Sequence, residues 1–363
     1  MMPTTSGMKG GGYYDANSSA QRSALEAFLP WLEASIPGLV ISSDCQTPIG
    51  ILDVGSSEGG NAIYAMNRLI STLRCCSSQS IWVFFNDLPT NDFNHLFLNL
   101  SCDDDDLTLS HTNIFPGAIS GTAFDRLVPD RTLHISTTFN AIGWLEKEPD
   151  SAIPHYILPM EPGLLAPRDG VYVTESEQEP FRLQAANDLH RYYATRSQEL
   201  VTGGKLLVQV FGRNNCFSTS NGIYDVLSDA ILDCVEGGLL PRKVYEDLIF
   251  PIYFRTIEEL SAPIQTDEHL SQAFHVEKAE SREVPVPFNL VFADTGDELI
   301  WARSYCGFLR AFTETILASA LPGNMSISSA LDKIYGQVEQ RLVSNPARYE
   351  FHYISVGLLL TRL

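Results

Sequence analysis

The stretch ILDVGSSEGGNAI, residues 51 to 63, joins two short apolar runs through a glycine-rich turn with an acid at its threshold. It reads as a buried strand, a tight turn and a helix. That is the opening unit of a ligand-binding sheet, in which glycine lets the backbone approach a bound cofactor. The same letters hold Gly55-Ser56-Ser57-Glu58-Gly59, a GxSxG pattern that would make Ser57 an esterase nucleophile. An elbow also needs later Asp or Glu and His partners and oxyanion donors. Histidines follow Ser57, but no HGGG-type sequence supplies the donors.

The remainder of the chain extends the strand–helix alternation. Residues 20 to 36 space Leu25, Phe28 and Leu32 as a helix, with Pro30 as a kink or break. A strand over 49 to 54 precedes a helix from about 60 to 73, and SIWVFFND (80 to 87) and RTLHISTTF (131 to 139) read as further strands. Residues 178 to 201 form a long polar helix, and KLLVQVFG (205 to 212) an apolar strand. The four acids Asp103 to Asp106 read as a solvated loop, since like charges repel without a cation. This alternation predicts an α/β domain on a mainly parallel sheet. From about 213 to 345 the pattern turns helical and irregular, while HLSQAFHVEKA and YEFHYISVGLLL read as strands closing the sheet edge. The expected division is a sheet domain over 1 to 212, completed by about 270–295 and 349–363, and a mostly helical cap over 213 to 345.

Charge narrows the partners. Twenty-four Lys and Arg against 44 Asp and Glu leave a net charge of −20, which disfavours nucleic acid or an anionic membrane as the main partner. There is no run of 18 apolar residues, and MMPTTSGMKGGGYYD lacks an apolar signal core. The seven cysteines, none in a CxxC pair, suggest neither a disulfide framework nor a zinc site. A soluble, cytoplasmic protein is expected.

The acids choose among cofactors. Asp87 ends the second apolar run, where a carboxylate can take the two vicinal hydroxyls of a ribose. Gly55, Gly59 and Gly60 do not spell GxGxxG, so a pyrophosphate fits poorly. S-adenosylmethionine (SAM), which has no phosphate, fits better.

Several motifs then fall into one order: MKGGGYYDANSSAQ (8 to 21), ILDVGSSEGGNA, FFNDLPTNDFNHLF (84 to 97) and GTAFDRLVPDRTLHISTTFNAIGWL (121 to 145). Weaker echoes are VTGGKLLVQVFGR (201 to 213), FPIY (250 to 253) and LRA (309 to 311). Together they resemble the SABATH carboxyl methyltransferases, the family of the plant salicylate, benzoate and jasmonate methyltransferases. The resemblance implies a class I, Rossmann-like SAM-dependent methyltransferase sheet with a helical substrate cap, a small carboxylic acid as substrate, S-adenosylhomocysteine (SAH) as product, no metal, and a homodimer.

By resemblance, Lys9 and Ser18 contact the cofactor side, Asp53, Gly55 and Asn61 hold its methionine end, and Asp87 binds the ribose. Leu88, Thr122 and Ala123 line the adenine. Gln21 and Trp144 donate hydrogen bonds to the substrate carboxylate, with Tyr14 nearby. The substrate pocket takes Ile223, Tyr224, Tyr253, Leu309 and Phe351. Gly143 stands where the salicylate enzymes carry methionine, and Ala123 replaces an aromatic. The usual tyrosine before the tryptophan falls at Phe139 or Asn140, depending on a one-residue gap. The missing methionine predicts a roomier pocket for a different acid. The alternatives are an N-methyltransferase of the same family, the Ser57 esterase, and a SAM-binding protein without catalysis.

Overall fold

A computed structural model describes residues 7–41, 47–101, 113–163, 173–323 and 325–363. The acidic run 103 to 106 lies outside them. In chain order the helices and strands are α1 (Tyr13–Asn17), α2 (Ser19–Ser35), β1 (Ile49–Val54), α3 (Gly60–Arg74), β2 (Ile81–Asp87), α4 (Phe93–Leu100), β3 (Ile114–Ser120), β4 (Leu133–Phe139), α5 (Glu175–Glu199) and β5 (Leu200–Phe211). Then follow α6 (Ile223–Glu236), α7 (Arg242–Asp247), α8 (Ile257–Thr266), α9 (Glu268–Ala273), β6 (Phe274–Val284), α10 (Pro287–Thr295), α11 (Glu298–Ala320), α12 (Ile327–Ser344) and β7 (Tyr353–Arg362).

The seven strands form one sheet in the order β3-β2-β1-β4-β5-β7-β6. The first five are parallel and the last two antiparallel. A strand buried on both faces must be apolar throughout, and β1 is buried at all six positions. One face packs on α2 and α3 through residues such as Leu29, Met66 and Ile70. The opposite face packs on α5, α8 and α9 through Leu189, Tyr193, Leu260 and Leu270. A third core, rich in aromatics, joins α6, α7, α10, α11 and α12 above the carboxyl ends of the parallel strands. Residues 257 to 269, inside the expected cap, pack with the sheet instead, continuous with the stretch from about 270 that was expected to complete it. Strand β3 has no counterpart in the sequence reading; its exposed Phe115, Pro116 and Ser120 break the apolar pattern of a sheet strand.

Helix α2 does not break at Pro30. Proline removes the N–H that would bond the carbonyl four residues back, and both Glu26 and Pro30 face solvent, so water meets that carbonyl. One residue on, Arg282 donates to the Ala27 carbonyl at 3.0 Å while its guanidinium lies over the Phe28 and Trp31 rings.

Candidate active site

Parallel strands place their carboxyl ends, and the loops that follow them, at one edge of the sheet, and ligands bind there. A cavity of about 1060 Å³ opens at this edge. The turn after β1 forms one end. Gly55 has φ +84°, and a Cβ there would overlap Ala141, so only glycine lets the turn close on the neighbouring loop. The N–H groups of Gly55 and Ser56 both donate to the Asn86 carbonyl at 2.8 Å, tying the turn to the end of β2. Asp87 accepts from the Ser57 N–H at 2.6 Å and from its neighbour Leu88 at 2.7 Å, one bond to each carboxylate oxygen. A carboxylate offers about four lone-pair directions. Two remain for vicinal hydroxyls. Burial pushes the Asp87 carboxyl up to about 6, against the lowering pull of the two N–H donors.

Asp53 is also enclosed, but it does not reach the cavity wall. Its oxygens accept from Thr137 at 2.6 Å and Ser56 at 2.8 Å, and burial again pushes its carboxyl up to about 6. It braces the turn from behind. Asn61 donates to Ser18 Oγ at 3.0 Å, joining α3 to the start of α2, and neither lines the cavity. Lys9 is likewise off the wall: its amino group pairs with Glu314 at 2.9 Å and lies 3.9 Å from the centre of the Tyr13 ring. Gly55, Asp87, Leu88, Thr122 and Ala123 do line it.

The middle of the cavity holds the two expected carboxylate donors. Gln21, on the first turn of α2, and Trp144 both face it. The Gln21 side chain makes no hydrogen bond among the described residues, and its carbonyl oxygen is buried without a partner. The Trp144 indole N–H donates to none of them. The Gln21 NH2 and the Trp144 indole N–H are therefore free to donate to a ligand's acceptor oxygens, while the Gln21 carbonyl oxygen can be met only by a donor. Trp144 is aimed by a one-turn helix, Ala141–Gly143, and by backbone bonds from Leu145 to Pro251 and from Tyr253 to Gly143, at 2.8 and 2.9 Å. Fully buried Arg255 donates to the carbonyls of Ile142 and Ala185 at 2.6 and 2.8 Å. No sequence signal marked that arginine; its role depends on two carbonyls distant along the chain.

The far end is aromatic. Phe139, Phe211, Ile223, Tyr224, Phe254 and Phe351 are on the wall. Leu309 and Tyr253 are not: Phe308 and Phe312 represent α11 there, and the Tyr253 hydroxyl donates to Glu259 at 2.7 Å. Gly143 sits behind the wall, where a Cβ would overlap the Phe211 ring. The space expected from the missing methionine is therefore filled by an aromatic from β5. The roomier pocket does not follow from that exchange. Sequence reading also passed over Tyr353, Asn86 and Met8, all on the wall.

Among the described residues no Lys, Arg or His lines the cavity, and the carboxylic acids there are Asp87 and Glu146. Ser57 is on the wall with φ +50°, as an elbow would be, but its hydroxyl has no hydrogen-bond partner among the described residues. A serine without a base to take its proton is not an activated nucleophile, and the esterase reading fails on that geometry.

The N-terminal segment roofs the cavity with Gly7, Met8 and Tyr14. The Gly12 and Asp15 N–H groups donate to Glu58 at 2.6 and 3.2 Å, and Asp15 accepts from Gly60 and Asn99 at 3.1 and 2.7 Å. On the cap side, Lys9 N–H donates to the Ala311 carbonyl at 3.0 Å and Thr315 to the Gly7 carbonyl at 2.9 Å. Asp15, Glu58 and His95 offer ligand atoms within 4.8 Å of one another, with both carboxylates already receiving these N–H donors.

Comparison with known proteins agrees with this geometry. The family model for SAM dependent carboxyl methyltransferases matches residues 3–363. The chain is 30% identical to gibberellic acid methyltransferase 2 of Arabidopsis thaliana over 269 residues, 69% of this chain and 68% of that one. It is 27% identical to salicylate carboxymethyltransferase of Clarkia breweri, over 76% of each chain. Loganic acid methyltransferase, solved with SAH, shares the fold at a TM-score of 0.76 and 20% identity, over 98% of each chain. The chain belongs to the SAM-dependent carboxyl methyltransferase family.

Proposed function

We propose that this enzyme makes the methyl ester of an apolar monocarboxylic acid, with the carboxylate held by Gln21 and Trp144. The observation that supports the reading is the pairing of two neutral donors, Gln21 and Trp144, with a wall on which the described residues include no Lys, Arg or His. When bound, SAM supplies an electrophilic methyl on a sulfonium, which a carboxylate oxygen displaces in line to give the ester and SAH. The chain's own contribution is placement. A carboxylic acid with a pKa near 4 is already ionised at neutral pH, so no base is needed. Strong ion pairing would stabilise that anion more in the ground state than in a transition state where its charge is being lost. An amide and an indole N–H orient the acid without that penalty. Fixing the reacting groups at near-attack distance contributes about 7 kcal/mol or more in well-oriented systems.

The wall also argues against two other substrate classes. A second carboxylate would be buried among aromatic rings with no cation among the described residues to pair with. A neutral N–H acceptor would have to give up a proton, and the described residues of the wall offer no imidazole or amine to take it, only Asp87 at the cofactor end and Glu146, which is paired with Arg191.

The test is a panel of labelled-methyl assays with benzoic, cinnamic and 1-naphthoic acids, phthalic acid as a dicarboxylate and theophylline as a neutral N–H compound. Ester formation should appear with monocarboxylates alone. Gln21→Ala and Trp144→Ala should each lower kcat/KM for the acid about tenfold to a hundredfold, in line with hydrogen bonds to a charged group. Cofactor affinity should stay within about twofold. Preferred methylation of phthalic acid or theophylline, or equal loss of cofactor binding in both variants, would sink the reading.

A further inference from the structure

We propose that Tyr353 is a third neutral hydrogen-bond donor to the acceptor's carboxylate, aimed by a buried relay of Asn140, Gln209 and Ser355. This deepens the carboxylate reading above and rests on it.

Tyr353 begins β7, which runs antiparallel to β5, so it starts at the carboxyl-end edge where the cavity opens. It lines the same cavity as Gln21 and Trp144. The Asn140 amide donates to the Tyr353 oxygen at 2.8 Å. On its other side, the Asn140 carbonyl oxygen accepts from Gln209 Nε2 at 3.1 Å, and the same Gln209 nitrogen donates to Ser355 Oγ at 2.7 Å. With its oxygen committed to Gln209, the Asn140 amide presents its NH2 to the phenol. Tyr353 thus accepts from Asn140, and its own hydrogen must leave in another direction. Gln209 also reaches the phenol, and its own carbonyl oxygen is buried without a partner. With its amide turned to Asn140 and Ser355, no described residue takes the phenol hydrogen, and the cavity is the direction left. Burial pushes the phenol well up, so the hydrogen stays on oxygen.

The relay is held at a cost. Asn140 has φ +67°, a left-handed conformation of a kind that costs a non-glycine residue on the order of 1 kcal/mol or more. Its backbone is fixed in that shape by donation to the Gln209 carbonyl at 2.7 Å and acceptance from Gly143 at 3.0 Å. Asn140 therefore opens the same single turn that ends at Trp144. One piece of backbone aims both donors. The phenol that the family pattern places at 139 or 140 is supplied here from a strand more than 200 residues later, at Tyr353.

Tyr353→Phe removes one oxygen and keeps the ring. It should raise the calorimetric Kd of cinnamic acid, measured without cofactor and again with SAH, about tenfold, and lower kcat/KM tenfold to a hundredfold. SAH affinity should stay within about twofold. Gln209→Met leaves the Asn140 turn and its positive φ in place and removes the donor that fixes the Asn140 amide. It acts through Tyr353, so the double variant should be no worse than either single one. Unchanged or tighter acid binding in Tyr353→Phe would overturn the proposal; tighter binding would mean the relay runs the other way and points a lone pair at the acid. Additive losses in the double variant would also overturn it. Ester formation by the wild-type protein with an unaffected Tyr353→Phe variant removes this proposal alone. A wild-type protein that esterifies no acid removes the carboxylate reading as well.

Discussion

The two ends of the cavity are built by different means. At the β1–β2 end, contiguous residues act mainly through the backbone: Gly55, Ser56 and Ser57 N–H groups bond Asn86 and Asp87, within a span of a few residues on each strand. At the β5–β7 end, single side chains arrive from separate elements: Phe211 from β5, Tyr224 from α6, Phe312 from α11 and Tyr353 from β7. The first end is a motif and the second a packing solution. A cofactor common to many enzymes can be met by fixed local geometry, whereas an acceptor that differs between relatives has to be met by replaceable side chains.

This contrast predicts that damage at the first end is confined to the cofactor and damage at the second to the acceptor. Asp87→Ala should produce the largest effect, since it removes the acceptor for the hydroxyls and for the Ser57 N–H together. SAH affinity measured by calorimetry should fall about a hundredfold or more, two charge-assisted bonds being worth roughly 3 kcal/mol or above. Retained SAH affinity would break the comparison at its cofactor end. Gly143→Met comes next. Its side chain meets the Phe211 ring, and overpacking of this kind costs about 1–3 kcal/mol, readable as a lower melting temperature together with weaker acid turnover. Adding Phe211→Ala should restore both. A Gly143→Met protein that melts and turns over like wild type would show that the ring yields freely.

The smallest effect is in pH. Asp87 stands at about 6, so its acceptor form is lost as pH falls, and cofactor binding should be roughly fourfold weaker at pH 5.5 than at pH 7.5. Asp87→Asn should flatten that profile. Folding carries the opposite sign. Both Asp53 and Asp87 are raised above their ordinary value, so they favour the fold below about pH 4, and that contribution is lost as pH rises through about 6. The stability of wild type minus that of Asp87→Asn should fall across this window, and a difference that rises would contradict the burial of Asp87.

What could be read from the sequence follows the same division. The strand–turn–acid succession of 49 to 87 was legible because apolar runs, glycines and a terminal acid report local geometry. Gln21 and Trp144 were legible only through the order of several motifs, since an isolated glutamine or tryptophan carries no such signal. Asp53, Asn61 and Ser18 stand near the cofactor end yet brace it from outside, and Lys9 is tied to the cap through Glu314 and Ala311, distinctions that turn on side-chain direction. Phe211 and Tyr353 were illegible in principle. Phe211 meets Gly143 and Tyr353 meets Asn140 from strands far along the chain, and only the folded sheet brings those pairs together. Strand β3 escaped for a plainer reason: an edge strand with Phe115 and Pro116 exposed lacks the apolar continuity of its neighbours.

The roof over the cavity is stitched to both banks, by Glu58 and Asn99 on one side and by Ala311 and Thr315 on the other. One short stretch of backbone carries both sets of ties, so a change that strains those at Ala311 and Thr315 is felt at Glu58 and Asn99, and neither end of the cavity can be re-roofed alone.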